Sequence, residues 1–81
     1  MWYVYIVRCA DRTLYTGVAR DLIARLAAHN AARGAKYTRA RLPVKLIYRE
    51  TVADRSAALR REHEIKRLSR AEKRALAARR R

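Results

Sequence analysis

The chain contains one cysteine, one proline, two glycines and only seven acidic residues among 81. The lone Cys9 excludes an intramolecular disulfide, and no cysteine–histidine cluster has zinc-ligand spacing, so Cys9 reads as a small buried hydrophobe and the chain as cytoplasmic. Long hydrophobic runs are also lacking. Trp2 to Val7 supplies about six apolar or aromatic residues, too few for a signal-peptide core with its flanks and far too few to span a bilayer. No repeat and no linker is present, and 81 residues allow a single domain near the lower size limit for one hydrophobic core.

The scarcity of acid leaves 21 lysines and arginines facing seven carboxylates, a formal charge of +14. The basic residues run from Arg8 to Arg81 and are not gathered in one tail. A polyanion is the natural partner, because cations that neutralise phosphates release condensed counterions and bind without regard to sequence. An anionic membrane could use the same charge, but no segment has the bulky apolar face and lysine-rich flanks of an interfacial helix. Nucleic acid is therefore the expected partner, and no membrane is. The alanine- and arginine-rich C-terminal half also fits a compositional bias of the source genome, and Arg79, Arg80 and Arg81 read as a frayed basic tail.

Trp2 to Arg8 is an uninterrupted run of β-branched and aromatic residues, the pattern of a central strand covered on both faces. Asp11-Arg12-Thr13 has turn chemistry, and Leu14 to Gly17 reads as an antiparallel return strand ended by Gly17, where a side chain would obstruct the backbone or block the approach of a ligand. From an Asp21 N-cap to Arg33 the period is helical, with Leu22, Ile23 and Leu26 on one side and Gly34 as the C-terminal glycine. Ala35 to Leu42 has no clear period and reads as a basic loop. Pro43 opens a third strand, Val44 to Glu50, with Val44, Leu46 and Tyr48 alternating against Lys45 and Arg49. Asp54 caps a helix to about Leu68, and Ser69 with Glu72 makes a capping box for another from Ala71 to about Ala78. The order is β-β-α-β-α-α. That is an α+β domain in which helices cover a three-stranded, mostly antiparallel sheet.

Certain side chains could do more than pack. Arg25 and His29 stand one helical turn apart at the edge of the Leu22/Leu26 stripe and can point at one site. Arg25 could grip a phosphate with its planar fork, and His29 could contact phosphate or protonate a leaving oxygen. Tyr15 is a candidate general base, provided nearby cations help the phenol release its proton, and Tyr5 on the paired strand could orient Tyr15, a water or the phosphate. Taken alone, each tyrosine is better explained as a core or interface aromatic with its hydroxyl in water. Glu62 either pairs with Lys66 at the favourable helical spacing or holds a divalent ion, with Glu64 as its rival. Lys36, Tyr37, Arg39 and Arg41 combine charge with one stacking surface, and Lys66 adds a further cation, so these residues are candidate nucleic-acid contacts or an ordinary solvated face.

Tyr3-Val4-Tyr5 and Tyr15-Thr16-Gly17, followed by Arg25, His29 and Glu62, resemble the two motifs and the site of the GIY-YIG nucleases, in the form of their small stand-alone bacterial members. The resemblance covers nearly the whole chain, as one domain over 1–81. It implies a metal-dependent endonuclease that hydrolyses phosphodiester bonds, in DNA more than RNA, with a role in DNA repair or processing. Tyr5, Tyr15, Arg25, His29 and Glu62 would be its catalytic residues, with Glu62 binding Mg²⁺ or Mn²⁺. This chain departs from the family pattern at Tyr3, Thr16 and Val18 and has no late asparagine, Asn30 being its only one. A catalytically weak nucleic-acid-binding module of the same fold is therefore the alternative, with a small RNA- or ribosome-associated protein a third.

Overall fold

A computed structural model describes residues 1–79. Its elements are β1 (Trp2–Arg8), β2 (Leu14–Ala19), α1 (Leu22–Asn30), α2 (Lys36–Arg39), β3 (Lys45–Val52), α3 (Arg55–Lys66) and α4 (Arg70–Arg79). The three strands form one antiparallel sheet in the order β2-β1-β3, so the apolar run Trp2–Arg8 is indeed central. Val4, Tyr5, Ile6 and Val7 are fully buried, as a strand covered on both faces requires.

The two faces of β1 build two half-cores. Tyr5 and Val7 pack with Cys9, Ala19, Leu22 and Val44 on the α1 side. Val4 and Ile6 pack with Tyr48, Ala58 and Ile65 on the side covered by α3, where Leu76 and Ala77 of α4 also join. The expected alternation of Val44, Leu46 and Tyr48 is broken. Ile6 pairs with Tyr48 but Val7 with Leu46, so Ile47 is an extra bulge residue, which sends Leu46 to the first half-core and Tyr48 to the second. Across the second face, Arg61 bonds Glu50 at 2.7 Å and Glu64 at 3.1 Å, and Tyr48 donates to Glu50, tying α3 to β3.

Several local expectations need correction. Helix α1 stops at Asn30, not Arg33. Its end is a Schellman turn in which Ala32 N–H bonds His29 C=O (3.0 Å) and Arg33 N–H bonds Ala28 C=O (2.8 Å). The left-handed residue of that turn is Ala32 (φ 62°), so Gly34 is not the cap. Asn30 then clips α1 to the start of β3, accepting from Val44 N–H at 2.8 Å and donating to Val44 C=O at 3.3 Å. Ile23 belongs to no buried stripe, being 83% exposed. The basic loop contains a helical turn, α2, because Thr38 and Arg39 N–H both bond Ala35 C=O. Asp21 and Asp54 cap α1 and α3 through Ala24 and Ala57 N–H, and Ser69 and Glu72 form the capping box. Arg79 is the last residue of α4, while Arg80 and Arg81 lie outside the described residues.

Candidate active site

The site grows from one cross-strand pair. Tyr5 of β1 lies opposite Gly17 of β2, and a Cβ on Gly17 would stand 2.6 Å from the Tyr5 hydroxyl and 3.1 Å from Tyr15 Cε2. Gly17 therefore does not end the strand, which runs on to Ala19; it makes room for two phenols. Helix α1 crosses the same face, and its two polar side chains one turn apart both reach Tyr5. Arg25 Nε donates to the Tyr5 oxygen at 3.2 Å, and His29 Nε2 lies 2.8 Å from it.

The direction of every bond in this network can be deduced. The Thr38 hydroxyl lies 2.9 Å from the Ala35 carbonyl, which only accepts, so it must spend its proton there. His29 Nδ1, 2.9 Å from the same Thr38 oxygen, must then carry the ring proton and donate. Burial, and after it the nearby Arg25 charge, push the His29 pKa below its usual value, so the ring is neutral and Nε2 is an acceptor. Tyr5 O–H fills that acceptor. The result is a one-way chain, Arg25 to Tyr5 to His29 to Thr38 to Ala35. Tyr5 keeps its proton, since burial foremost, and then Tyr15 and Glu62, raise its pKa more than Arg25 lowers it.

One sequence-based expectation changes here. His29 is fully buried with both ring nitrogens engaged, so it cannot touch a phosphate or a leaving oxygen. Tyr5 is equally buried and accepts from Arg25 Nε. Thr38, which the sequence offered only as part of a basic stretch, is fully buried as the far anchor of His29.

Tyr15 forms the accessible part of the site. Its ring meets His29 edge-on at 5.5 Å and stacks with Tyr37 at 5.9 Å, and the Arg41 guanidinium lies 4.0 Å over Tyr37. Arg41 is engaged within the protein, bonding Asp11 at 3.0 Å and the Tyr37 carbonyl at 2.7 Å, whereas Lys36 and Arg39 are exposed and Tyr37 is 40% exposed. Hydrogen bonding to Tyr5, aided by Tyr15 and opposed by burial, holds Arg25 above the ordinary guanidinium range. Leu14, Tyr15, Thr16, Tyr37, Lys66 and Lys73 line a shallow depression. Lys73 escaped the sequence reading, since only the packing of α4 brings it there.

Glu62 comes from α3, which packs against β2 and β1, and is near enough to bear on the Tyr5 phenol. Its side chain is 18% exposed and pairs with Lys66 at 3.2 Å. The rival Glu64 is taken up by Arg61. Among the described residues no three histidines, cysteines or carboxylates gather, and Glu62 is the carboxylate that bears on Tyr5. A carboxylate with no such cluster around it fits a hard ion such as Mg²⁺, which keeps most of its waters and takes other oxygens from a phosphate, and does not fit zinc.

Residues 1–75 match the family model of the GIY-YIG catalytic domain. A UPF0213 protein of Desulfotalea psychrophila is 57% identical over 76 residues, covering 93% of this chain and 69% of the relative. One from Natronomonas pharaonis is 55% identical over 76 residues, covering 94% and 89%. The solution NMR structure of a UPF0213 protein from Bacillus halodurans superposes with a TM-score of 0.63 at 40% identity, covering 99% of this chain and 86% of that one. No helix among the described residues is long and apolar enough to cross a membrane.

Proposed function

The chain belongs to the GIY-YIG nuclease family, and from that premise we propose that it hydrolyses phosphodiester bonds in DNA with the help of a divalent ion. The observation that carries this reading is the convergence of Arg25 and His29 on the Tyr5 oxygen, with Tyr15 and Glu62 close by. Structural packing alone gives no reason to suspend a guanidinium from a buried phenol.

Tyr15 receives the proton of the attacking water while its own phenolic proton passes to solvent. Arg25, steered by Tyr5 at Nε, presents its outer nitrogens to the phosphoryl oxygens and offsets the charge that grows there. His29 fixes the Tyr5 hydroxyl and takes no proton, so the leaving oxygen is protonated from the solvent side. Family members are generally divalent-metal dependent. Glu62 would hold the ion, which supplies charge stabilisation and a more acidic water.

Cleavage of single-stranded, nicked, branched and duplex DNA should be measured with Mg²⁺ or Mn²⁺. Tyr15→Phe, Arg25→Ala and Glu62→Ala are each expected to slow it by about 10²-fold or more. Undiminished cleavage by both Tyr15→Phe and Glu62→Ala would refute the assignment. A second reading, a binding module that cuts weakly, is favoured by Lys66, whose ammonium 3.2 Å from Glu62 competes with a metal for the carboxylate. Salt-sensitive DNA binding without metal-dependent cleavage of any substrate would select it.

A further inference from the structure

Away from the tyrosine site, the β1–β2 hairpin and α4 enclose a cleft of about 310 Å³ walled by Arg8, Arg12, Arg70 and Arg74 over a floor that includes Leu14 and Ile47. Among the described residues no carboxylate lines it. Asp11, the nearest acid in sequence, is committed to Arg41 and Thr13, and Glu72 caps Ser69. All four arginines are exposed, and none has a carboxylate partner among the described residues. Arg70 alone has a structural duty, donating to the Arg12 carbonyl at 2.6 Å. Among the described residues, the side chains of Arg8 and Arg74 make no hydrogen bond or ion pair that holds the fold.

Four guanidiniums around one cleft repel one another, and only an anion relieves that repulsion. The cleft also adjoins the tyrosine site. Leu14 lines both it and the depression of Tyr15, Tyr37, Lys66 and Lys73, and Arg70, Lys73 and Arg74 share one face of α4. We infer that the arginine cleft is a second phosphate-binding segment for the nucleic-acid strand, which runs from Tyr15 across Leu14 and lays its backbone between the hairpin and α4. An extended polyanion can bridge two adjoining basic segments at once, whereas a small anion can fill only one. This inference rests on the nuclease reading for what lies at Tyr15, but not for the charge of the cleft.

The test is binding of a long oligonucleotide to the full chain in EDTA, by fluorescence anisotropy across a salt series. Arg8→Gln/Arg74→Gln is compared with Arg55→Gln/Arg60→Gln, which removes equal charge from exposed positions of α3. Loss of two phosphate contacts should flatten the slope of log K against log salt by about 1.4 to 1.8 relative to the control. A short oligonucleotide filling only the depression should not distinguish the two variants. Equal slopes on the long strand overturn the proposal. So does Arg8- and Arg74-dependent retention on polyglutamate or anionic vesicles without such dependence on nucleic acid. Because no cleavage is read, a slope change in a chain that never cuts would retire the nuclease and keep the track. Cleavage with unchanged slopes would do the reverse.

Discussion

Mild acid should weaken this fold through a single group, His29. At neutral pH its proton sits on Nδ1, spent on Thr38, and Nε2 accepts from Tyr5. A second proton must go on Nε2. It would then face an oxygen that already receives Arg25 Nε–H, and the Tyr5 hydrogen would have to turn away into a fully buried site. The new imidazolium would also lie beside a guanidinium, and burial followed by Arg25 accordingly lowers the His29 pKa from its usual 6.5.

The sign follows from linkage. Between the depressed folded pKa and the unfolded value of 6.5, the unfolded chain binds more protons than the folded one, so stability rises with pH across that interval. The contribution is fully present above about 6.5 and is lost as pH falls toward the folded value, with a slope of up to ~1.4 kcal/mol per pH unit. Asp11 and Glu72 are held below their ordinary values by bonds from Thr13 and Ser69, so they act only in stronger acid. Urea unfolding should therefore show a midpoint that falls as pH drops below about 6.5. Nitrogen NMR of the histidine rings gives the direct check: His29 should be the Nδ1–H tautomer and resist protonation below pH 6.5. An Nε2–H ring at neutral pH, or a titration midpoint at or above 6.5, would refute the chain of bonds deduced above.

Gly17→Ala should cost roughly 1–3 kcal/mol and impair cleavage, because the new methyl would sit 2.6 Å from a Tyr5 oxygen that Arg25 and His29 prevent from moving; thermal unfolding and the DNA assay read both effects. Ala32→Gly should raise stability by about 1 kcal/mol by relieving the left-handed φ of 62° in the Schellman turn, visible as a higher urea midpoint. Thr16→Val should be neutral or stabilising by up to ~2 kcal/mol, since the buried Thr16 hydroxyl has no hydrogen-bond partner among the described residues; a loss above about 1 kcal/mol in chemical denaturation would contradict its isolation.

What was legible in the sequence depended on period and residue type. The central strand declared itself by an unbroken apolar run, and the helix starts by Asp21, Asp54 and the Ser69/Glu72 box, because capping is a local interaction. Arg25 and His29 were legible as a pair because one helical turn is a local distance too. Their roles were not. Whether a histidine faces a substrate or a threonine depends on Thr38 arriving from another segment and on the sheet beneath, which no spacing along α1 encodes. The bulge at Ile47 escaped for a like reason: Val44, Leu46 and Tyr48 alternate in sequence, and only pairing with β1 reveals the residue that slips.

The glycines show how local signals can mislead about a shared cause. Gly17 looked like a strand end and Gly34 like a helix cap, two unrelated items of punctuation. In the fold neither has a positive φ. A Cβ on Gly17 would meet the Tyr5 hydroxyl at 2.6 Å, and one on Gly34 would meet His29 Nδ1 at 2.3 Å. The chain has only two glycines, and they flank successive members of one buried hydrogen-bond chain. Both are therefore required by close approach, not by backbone conformation. A protein this sparing of glycine uses both of them to seat the two side chains that steer Arg25, which ties its backbone composition directly to the candidate chemistry.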